Sequence, residues 1–231
     1  MTDEITWADY YDENEDREPR ELLLEALSRF GPGSHDAVDL GCGSGIDTLA
    51  ILERGWRVFA TDAEAEGIRR LRSRVPAELT PALRTTVARM EEVELPEADL
   101  IWAGFSLFFC PPRRWSEVWP KVHDAVLPSG RFGGQILGER DTWAPDREIS
   151  SFSRVEARAL FDGFEIERFE EEEKDGEACS GPKHWHLFHV LARRPAGRVR
   201  TAGRDTASAH RLVTPRRATE RPANMGPSIQ G

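Results

Sequence analysis

The sequence VDLGCGSG occupies residues 38–45, and the interpretation of the whole chain starts from it. The apolar run at 37–40 predicts a buried strand, and residues 47–54 have the apolar spacing of a helix. Glycines at positions 41, 43 and 45 permit positive φ angles and let a ligand approach the backbone closely. The start of the helix adds free N–H groups. This stretch therefore predicts a strand, a ligand-binding loop and a helix.

Two classes of ligand use such a loop. Dinucleotide-binding enzymes hold a pyrophosphate on a Gly-x-Gly-x-x-Gly pattern, but here its third glycine would fall on Ile46. Asp39 stands two residues before the first glycine. A carboxylate that faced the ligand there would repel a pyrophosphate and attract an ammonium group. The loop thus favours a cationic amino-acid ligand, although Asp39 could instead cap the turn.

Strand and helix patterns alternate through most of the chain. Strands are predicted at 37–40, 57–61, 85–88, 98–103 and 131–137, and helices at 18–30, 47–54, 64–75 and 115–126. Another helix is predicted at 153–161, and the strands predicted at 164–172 and 184–193 could pair as an antiparallel hairpin. Such alternation indicates an α/β fold with a mainly parallel sheet and helices on both faces.

The glycine loop resembles motif I of the class I S-adenosylmethionine-dependent methyltransferases, and the resemblance continues in register over residues 18–193. Asp62 closes the second predicted strand, 17 residues after Gly45, and an acid at this position in the family binds both ribose hydroxyls. The resemblance implies a Rossmann-like three-layer α/β/α sandwich with seven strands, one of them antiparallel. It also implies S-adenosylmethionine as cofactor.

The cofactor site implied by the resemblance combines the glycine loop with the ends of the next strands. Met90 and Glu91 follow the third strand, where the family borders the adenine. Asp62 could also cap the following helix, and Cys42 is expected to be a small buried filler rather than a reactive thiol. The expected cofactor-binding residues are Asp39, Gly41, Cys42, Gly43, Gly45, Asp62, Ala63, Met90, Glu91 and Ala103.

Three further segments resemble a bacterial subgroup of small-molecule methyltransferases, near those of tellurite resistance. These segments are residues 102–107, 138–143 and 183–186.

Residues of the acceptor side are expected on loops at the carboxyl edge of the sheet, where open α/β sheets bind ligands. Trp7, Tyr10 and Tyr11 precede the first predicted helix and could fold over the pocket, with aromatic faces that suit a sulfonium. Arg20 could reach the cofactor carboxylate or could be an exposed helix residue. The expected acceptor-side residues are Tyr11, Phe105, Ser106, Arg140, Trp143, His184 and His186.

His184 and His186 share one face of a predicted strand. A metal site would need a third ligand that the spacing does not supply, so no metal is expected. Packing, contact with substrate and a role for one of them as general base remain open. No catalytic residue is assigned.

Charge and composition restrict the partners of this chain. The formal net charge is −10, and seven arginines with two acids in residues 195–231 leave residues 1–194 with −15. An acidic body repels phosphates, so neither nucleic acid nor an anionic membrane is an expected partner. The acidic N-terminus lacks an apolar leader segment and no run approaches about 20 apolar residues, so a cytoplasmic location is expected.

The sequence as a whole predicts a methyltransferase that acts on a small molecule by in-line methyl transfer. Its domain is expected at residues 1–194, with an N-terminal lid segment and a disordered basic tail at 195–231. A binding module or regulator of the same fold without turnover is the first alternative. A nicotinamide dehydrogenase is the second, and Ile46 counts against it.

Overall fold

The computed structural model describes residues 6–146 and 148–196. Its strands are β1 (Asp36–Leu40), β2 (Arg57–Asp62), β3 (Leu83–Val87), β4 (Ala98–Ala103), β5 (Val126–Leu137), β6 (Glu165–Ala178) and β7 (Gly181–Arg193). Its helices are α1 (Trp7–Glu13), α2 (Glu21–Ser28), α3 (Ile46–Glu53), α4 (Ala65–Arg74), α5 (Trp115–Ala125) and α6 (Arg154–Ala159). Most of the predicted tail, residues 197–231, lies outside the described residues.

All seven strands form one sheet in the order β3-β2-β1-β4-β5-β7-β6. The first five strands pair in parallel, and β7 runs antiparallel to both of its neighbours. This arrangement confirms the predicted α/β sheet with one antiparallel strand. The order reverses between β1 and β4, and ligands of open α/β sheets bind at such a switch point.

Two apolar cores lie on opposite faces of the sheet, because successive side chains of a strand point to opposite faces. Ile101 of β4 packs in one core with residues of α5 and α6, whereas its neighbours Leu100 and Trp102 pack in the other with residues of α2, α3 and α4. The molecule is therefore a three-layer α/β/α sandwich.

Strand β5 begins at Val126, five residues before its predicted start. Two further elements that differ from the sequence prediction lie beside the carboxyl edge of the sheet. Residues 7–13 form a helix whose first turn is closed by a capping box between Thr6 and Asp9. The β6–β7 hairpin is longer than predicted, and residues 173–178 pair with 181–186 beyond the end of β5. Residues 173–178 have no apolar alternation, so the sequence did not indicate that the predicted strand continues through them.

Candidate functional site

The carboxyl ends of β1, β2 and β4 meet at one edge of the sheet, because the three strands are parallel neighbours. Leu40 pairs in register with Thr61 of β2, and Asp39 pairs with Trp102 of β4. A cavity of about 630 Å³ opens at this edge. Its walls are the glycine loop, the ends of β2 and β4, helix α1 and the tip of the β6–β7 hairpin.

The glycine loop has the backbone conformation that its sequence predicts. Gly41, Gly43 and Gly45 have φ angles of 78°, 53° and 84°, which L-residues rarely adopt. The Gly41 N–H donates to the carbonyl of Thr61 at 2.8 Å. A Cβ added at Gly41 would overlap Ser106. The loop is therefore held tightly between β2 and the residues that follow β4.

Asp39 lines the cavity and is otherwise buried, with 1% of its surface exposed. The Thr48 hydroxyl donates to its Oδ2 at 2.6 Å. Burial, reinforced by the nearby charge of Asp47, raises the pKa of the Asp39 carboxyl to about 7. A cationic ligand group would favour the ionised form of this carboxylate.

Asp62 also lines the cavity, at the end of β2. Its Oδ2 accepts the N–H of Gly43 at 2.7 Å, and its Oδ1 accepts the N–H of Glu64 at 2.9 Å. Burial raises the pKa of this carboxyl, against the effect of these backbone hydrogen bonds. Each oxygen keeps capacity for a second hydrogen bond, so Asp62 organises the loop and can still bind a diol.

A charge cluster beside the glycine loop was not foreseen from the sequence. Asp47, in the first turn of α3, accepts from Arg17 Nη1 at 2.9 Å and lies 3.5 Å from Arg20 Nε. The Arg20 guanidinium lies over the Phe105 ring, 4.1 Å from its centroid. Among the described residues, no hydrogen-bond partner faces its buried Nε, and Arg20 lines the cavity. The sequence contained two separate signals for this cluster, Asp47 at the start of the helix after the glycine loop and Arg20 as a possible contact of the cofactor carboxylate, but it did not predict their pairing.

Seven of the ten expected cofactor residues line this cavity: Asp39, Gly41, Cys42, Gly43, Asp62, Ala63 and Met90. The other three lie next to it. Gly45 is the N-cap of α3, and a Cβ there would overlap Leu71 of α4. Glu91 is buried with its Oε1 3.3 Å from Arg89, and Ala103 is fully buried at the end of β4.

The remaining wall of the cavity is aromatic. Tyr11, Phe105, Ser106 and Trp143 line it, and they are four of the seven expected acceptor-side residues. The Ser106 hydroxyl donates to the Leu40 carbonyl, so this side chain joins the loop after β4 to the end of β1. Five more aromatic residues line the cavity that were not among the expected acceptor-side residues: Trp7, Tyr10, Phe108, Phe109 and Trp185.

Arg140, His184 and His186 lie outside the cavity lining. Arg140 pairs with Glu171 at 2.8 Å and with Glu173 at 2.6 Å on the outer strand β6. The Nδ1 atom of His186 accepts the Arg140 N–H at 3.1 Å, and its Nε2 lies 3.0 Å from Glu171. His184 pairs with Asp175 at 2.7 Å. These side chains tie the hairpin to the loop after β5.

Ligand atoms of Glu171, Glu173 and His186 lie within 4.8 Å of one another, as in a metal site. The Arg140 guanidinium already binds both carboxylates. A guanidinium in that place repels a cation, so the cluster is better explained as an ion-pair network.

Comparison with known proteins shows which sequences and folds this chain resembles. Residues 37–130 match the family model described as a methyltransferase domain. Carboxy-S-adenosyl-L-methionine synthase of Geobacter sp. (strain M21) is 30% identical over 115 residues, which cover 47% of this chain and 46% of that protein. The chain thus spans about half the length of the curated relatives that it matches.

Solved structures show the same fold. TehB from Haemophilus influenzae has a TM-score of 0.66 at 15% identity, covering 81% of this chain and 67% of that one. The 1,6-didemethyltoxoflavin-N1-methyltransferase of Burkholderia thailandensis, solved with S-adenosylhomocysteine, has a TM-score of 0.59 at 19% identity, covering 82% and 87%. Residues 37–130 therefore match a methyltransferase domain, and the fold of the chain is that of these methyltransferases. Such methyltransferases use S-adenosylmethionine.

Among the described residues, no helix is both long and apolar enough to cross a membrane.

Proposed function

We propose that this protein transfers a methyl group from S-adenosylmethionine to a small molecule by in-line displacement. One observation carries the proposal. Asp39, the glycine loop and Asp62 open into the same cavity as an aromatic wall on α1, β7 and the loops after β4 and β5. A single space thus offers a cofactor side and an acceptor side.

The donor groups of the cofactor side fit a zwitterionic nucleoside. Asp39 and the loop residues Gly41–Gly43 would hold the amino-acid end, and the Arg20 guanidinium, which lines the cavity, would attract its carboxylate. The free acceptor capacity of Asp62 suits the ribose diol, and Met90 would border the adenine. Gly45, Glu91 and Ala103 would support these residues from behind, since they lie outside the cavity lining.

When bound, the cofactor would supply a methyl group on a positively charged sulfur with a neutral leaving group. The contribution of the chain is then to align the acceptor and to exclude water, and such positioning can be worth about 7–11 kcal/mol. The rings of Tyr11 and Phe105 offer faces that stabilise positive charge. No general base is assigned, because His184 and His186 lie outside the cavity.

The domain that we propose covers residues 1–194. A small-molecule acceptor is supported by the cavity with its aromatic wall and by the net charge of −15 on this segment. The fold neighbour from Burkholderia thailandensis, a methyltransferase solved with its small-molecule acceptor, supports the same class.

A turnover assay with methyl-labelled S-adenosylmethionine and a panel of metabolites tests the proposal. We expect label transfer to at least one small molecule, with S-adenosylhomocysteine as coproduct. Binding of S-adenosylhomocysteine without turnover on any acceptor would favour the non-catalytic binding module. Tighter binding of a nicotinamide dinucleotide than of S-adenosylhomocysteine would reject the proposed cofactor.

A further inference from the structure

The acceptor side of the cavity is a continuous set of aromatic contacts that links four elements. Trp7 of α1 meets Phe109 after β4 at 5.2 Å between ring centroids, and Phe109 meets Trp143 after β5 at 6.1 Å. Trp143 meets Trp185 of β7 at 5.5 Å, and Trp185 meets Phe105 at 6.1 Å. Aromatic rings pack best on flat apolar or cationic surfaces, so this wall favours a ring-bearing ligand.

Two carboxylates line the mouth of the same cavity. Glu13 ends α1, and Glu177 lies near the tip of the β6–β7 hairpin; both are exposed and line the cavity. The Cys179 thiol at the tip hydrogen-bonds to Glu13, so α1 and the hairpin meet there. Neither carboxylate forms an ion pair with any described residue, whereas Asp175 on the same hairpin pairs with His184. The mouth therefore carries uncompensated negative charge.

The cations near the cavity are already engaged. Arg17 and Arg20 both lie beside Asp47, and the Arg20 guanidinium would also face the cofactor carboxylate. The Lys183 ammonium lies 4.0 Å from the Trp143 ring centroid and 4.3 Å from that of Trp185, but it is buried and paired with Asp141. Within the described part of the chain, the acceptor side offers an anionic ligand no free positive partner.

We infer that the acceptor is a ring-bearing small molecule with a positively charged group, its ring against the aromatic wall and its charge toward Glu13 and Glu177. This inference rests on the proposed function, because it requires the cofactor to occupy the glycine-loop side. The inference names the substrate class of that site. An acceptor whose only charged group is a carboxylate or a phosphate is not expected there.

Matched probes test the inference on the full chain saturated with S-adenosylhomocysteine. Calorimetry compares tryptamine with indolepropionate, which has the same ring and spacer but a carboxylate, and with hexylamine, which has the charge but no ring. We expect tryptamine to bind about tenfold more tightly than either, which corresponds to ~1.4 kcal/mol. Equal or tighter binding of indolepropionate, or no binding of tryptamine at millimolar concentration, would overturn the inference.

Variants separate the contributions of charge and ring. The double variant Glu13→Gln, Glu177→Gln should remove the preference for tryptamine over indolepropionate, and Trp143→Leu should weaken both indoles equally. Glu94→Gln is the matched control, because this side chain is 92% exposed and outside the cavity lining. An unchanged preference in the double variant would contradict the assigned charges.

The same titrations distinguish a wrong acceptor class from a wrong proposed function. S-adenosylhomocysteine is titrated first into every sample. If it binds and the probes fail, only the acceptor class is wrong. If it does not bind to the folded wild-type protein, the proposed function fails and the acceptor class fails with it.

Discussion

Gly41 shows how much of this site depends on single residues. Its N–H donates to Thr61, its φ angle is positive, and the space where a Cβ would stand is filled by Ser106. The glycine pattern in the sequence predicted the backbone conformation. The contact with Ser106 could not be predicted, because it depends on the distance between the loops after β1 and β4.

A glycine pair tests the importance of this close packing. The free energy of unfolding of Gly41→Ala should be about 1–3 kcal/mol lower than that of Gly55→Ala. Both variants strain a backbone with a positive φ angle, but only Gly41→Ala also overpacks its surroundings. Gly55 is the matched control, since its φ angle is 79° and no atom lies within 4 Å of an added Cβ. Denaturant titration measures both variants. Equal losses of stability would mean that the loop can shift away from Ser106 without cost.

Asp39 should make both stability and ligand affinity depend on pH. Its folded pKa of about 7 lies above the ordinary value of 3.8, so its contribution to stability is complete below pH 3.8 and is lost as the pH rises through 7. Asp39→Asn should therefore be more stable than wild type at pH 8, by up to a few kcal/mol. This difference in stability between Asp39→Asn and wild type should become smaller toward pH 5. Thermal unfolding at several pH values measures it.

Ligand binding should respond to pH in the opposite direction. The ammonium group of S-adenosylhomocysteine requires ionised Asp39, so its affinity for the wild-type protein should fall as the pH drops below about 7. Calorimetry at pH 8 and pH 6 tests this expectation. An affinity that is flat with pH in wild type, or that falls equally in Asp39→Asn, would place the ammonium elsewhere.

At the scale of elements, α1 and the β6–β7 hairpin build the half of the cavity that faces the glycine loop. The aromatic residues before the first predicted helix indicated that this segment covers the pocket, and the structure places Trp7, Tyr10 and Tyr11 in its lining. The sequence did not predict the extension of the hairpin to Ala178. Cross-strand hydrogen bonds and charge pairs hold this part of the hairpin, and neither leaves an apolar pattern.

A matched pair of capping residues tests the role of α1. Asp9 accepts from the N–H and the hydroxyl of Thr6, both at 2.7 Å, and Glu156 accepts the same groups of Ser153 at the start of α6. Asp9→Ala should weaken S-adenosylhomocysteine binding about threefold to tenfold by loosening α1. Glu156→Ala should leave the affinity unchanged, because α6 is remote from the cavity lining. Hydrogen exchange of α1 measures the loosening; equal affinities in both variants would exclude α1 from the binding site.

At the scale of the whole molecule, strand alternation predicted a mainly parallel sheet, and the family resemblance of the glycine loop and Asp62 predicted the cofactor side. Asp39 and Asp62 could be located because the carboxyl ends of parallel neighbours meet at one edge. The acceptor side depends more on long-range register. Arg140 follows an expected strand and His186 lies on one, but the pairing of β6 with β7 directs them into ion pairs with Glu171 and Glu173.

The place of Arg20 in the cavity also depends on partners that are distant in the sequence. Its position on a predicted helix made exposure the simplest expectation, yet Asp47 and Phe105 hold its guanidinium at the cavity. Sequence periodicity describes the neighbours of a residue on its own helix. It does not describe a partner on α3 or a ring after β4.

The binding of S-adenosylhomocysteine to wild type and Asp62→Ala, measured by calorimetry, tests the central claim most directly. We expect the wild-type protein to bind and Asp62→Ala to bind about 10- to 100-fold more weakly, because a charged acceptor of two hydroxyl groups is lost. Asp36→Ala, an acid at the opposite end of β1, is the matched control and should bind like wild type. A second variant, Asp62→Asn, retains one acceptor and guards against loss of the fold, which circular dichroism checks. Equal affinities in wild type and both folded Asp62 variants would contradict the claim that this strand-end carboxylate binds the ribose.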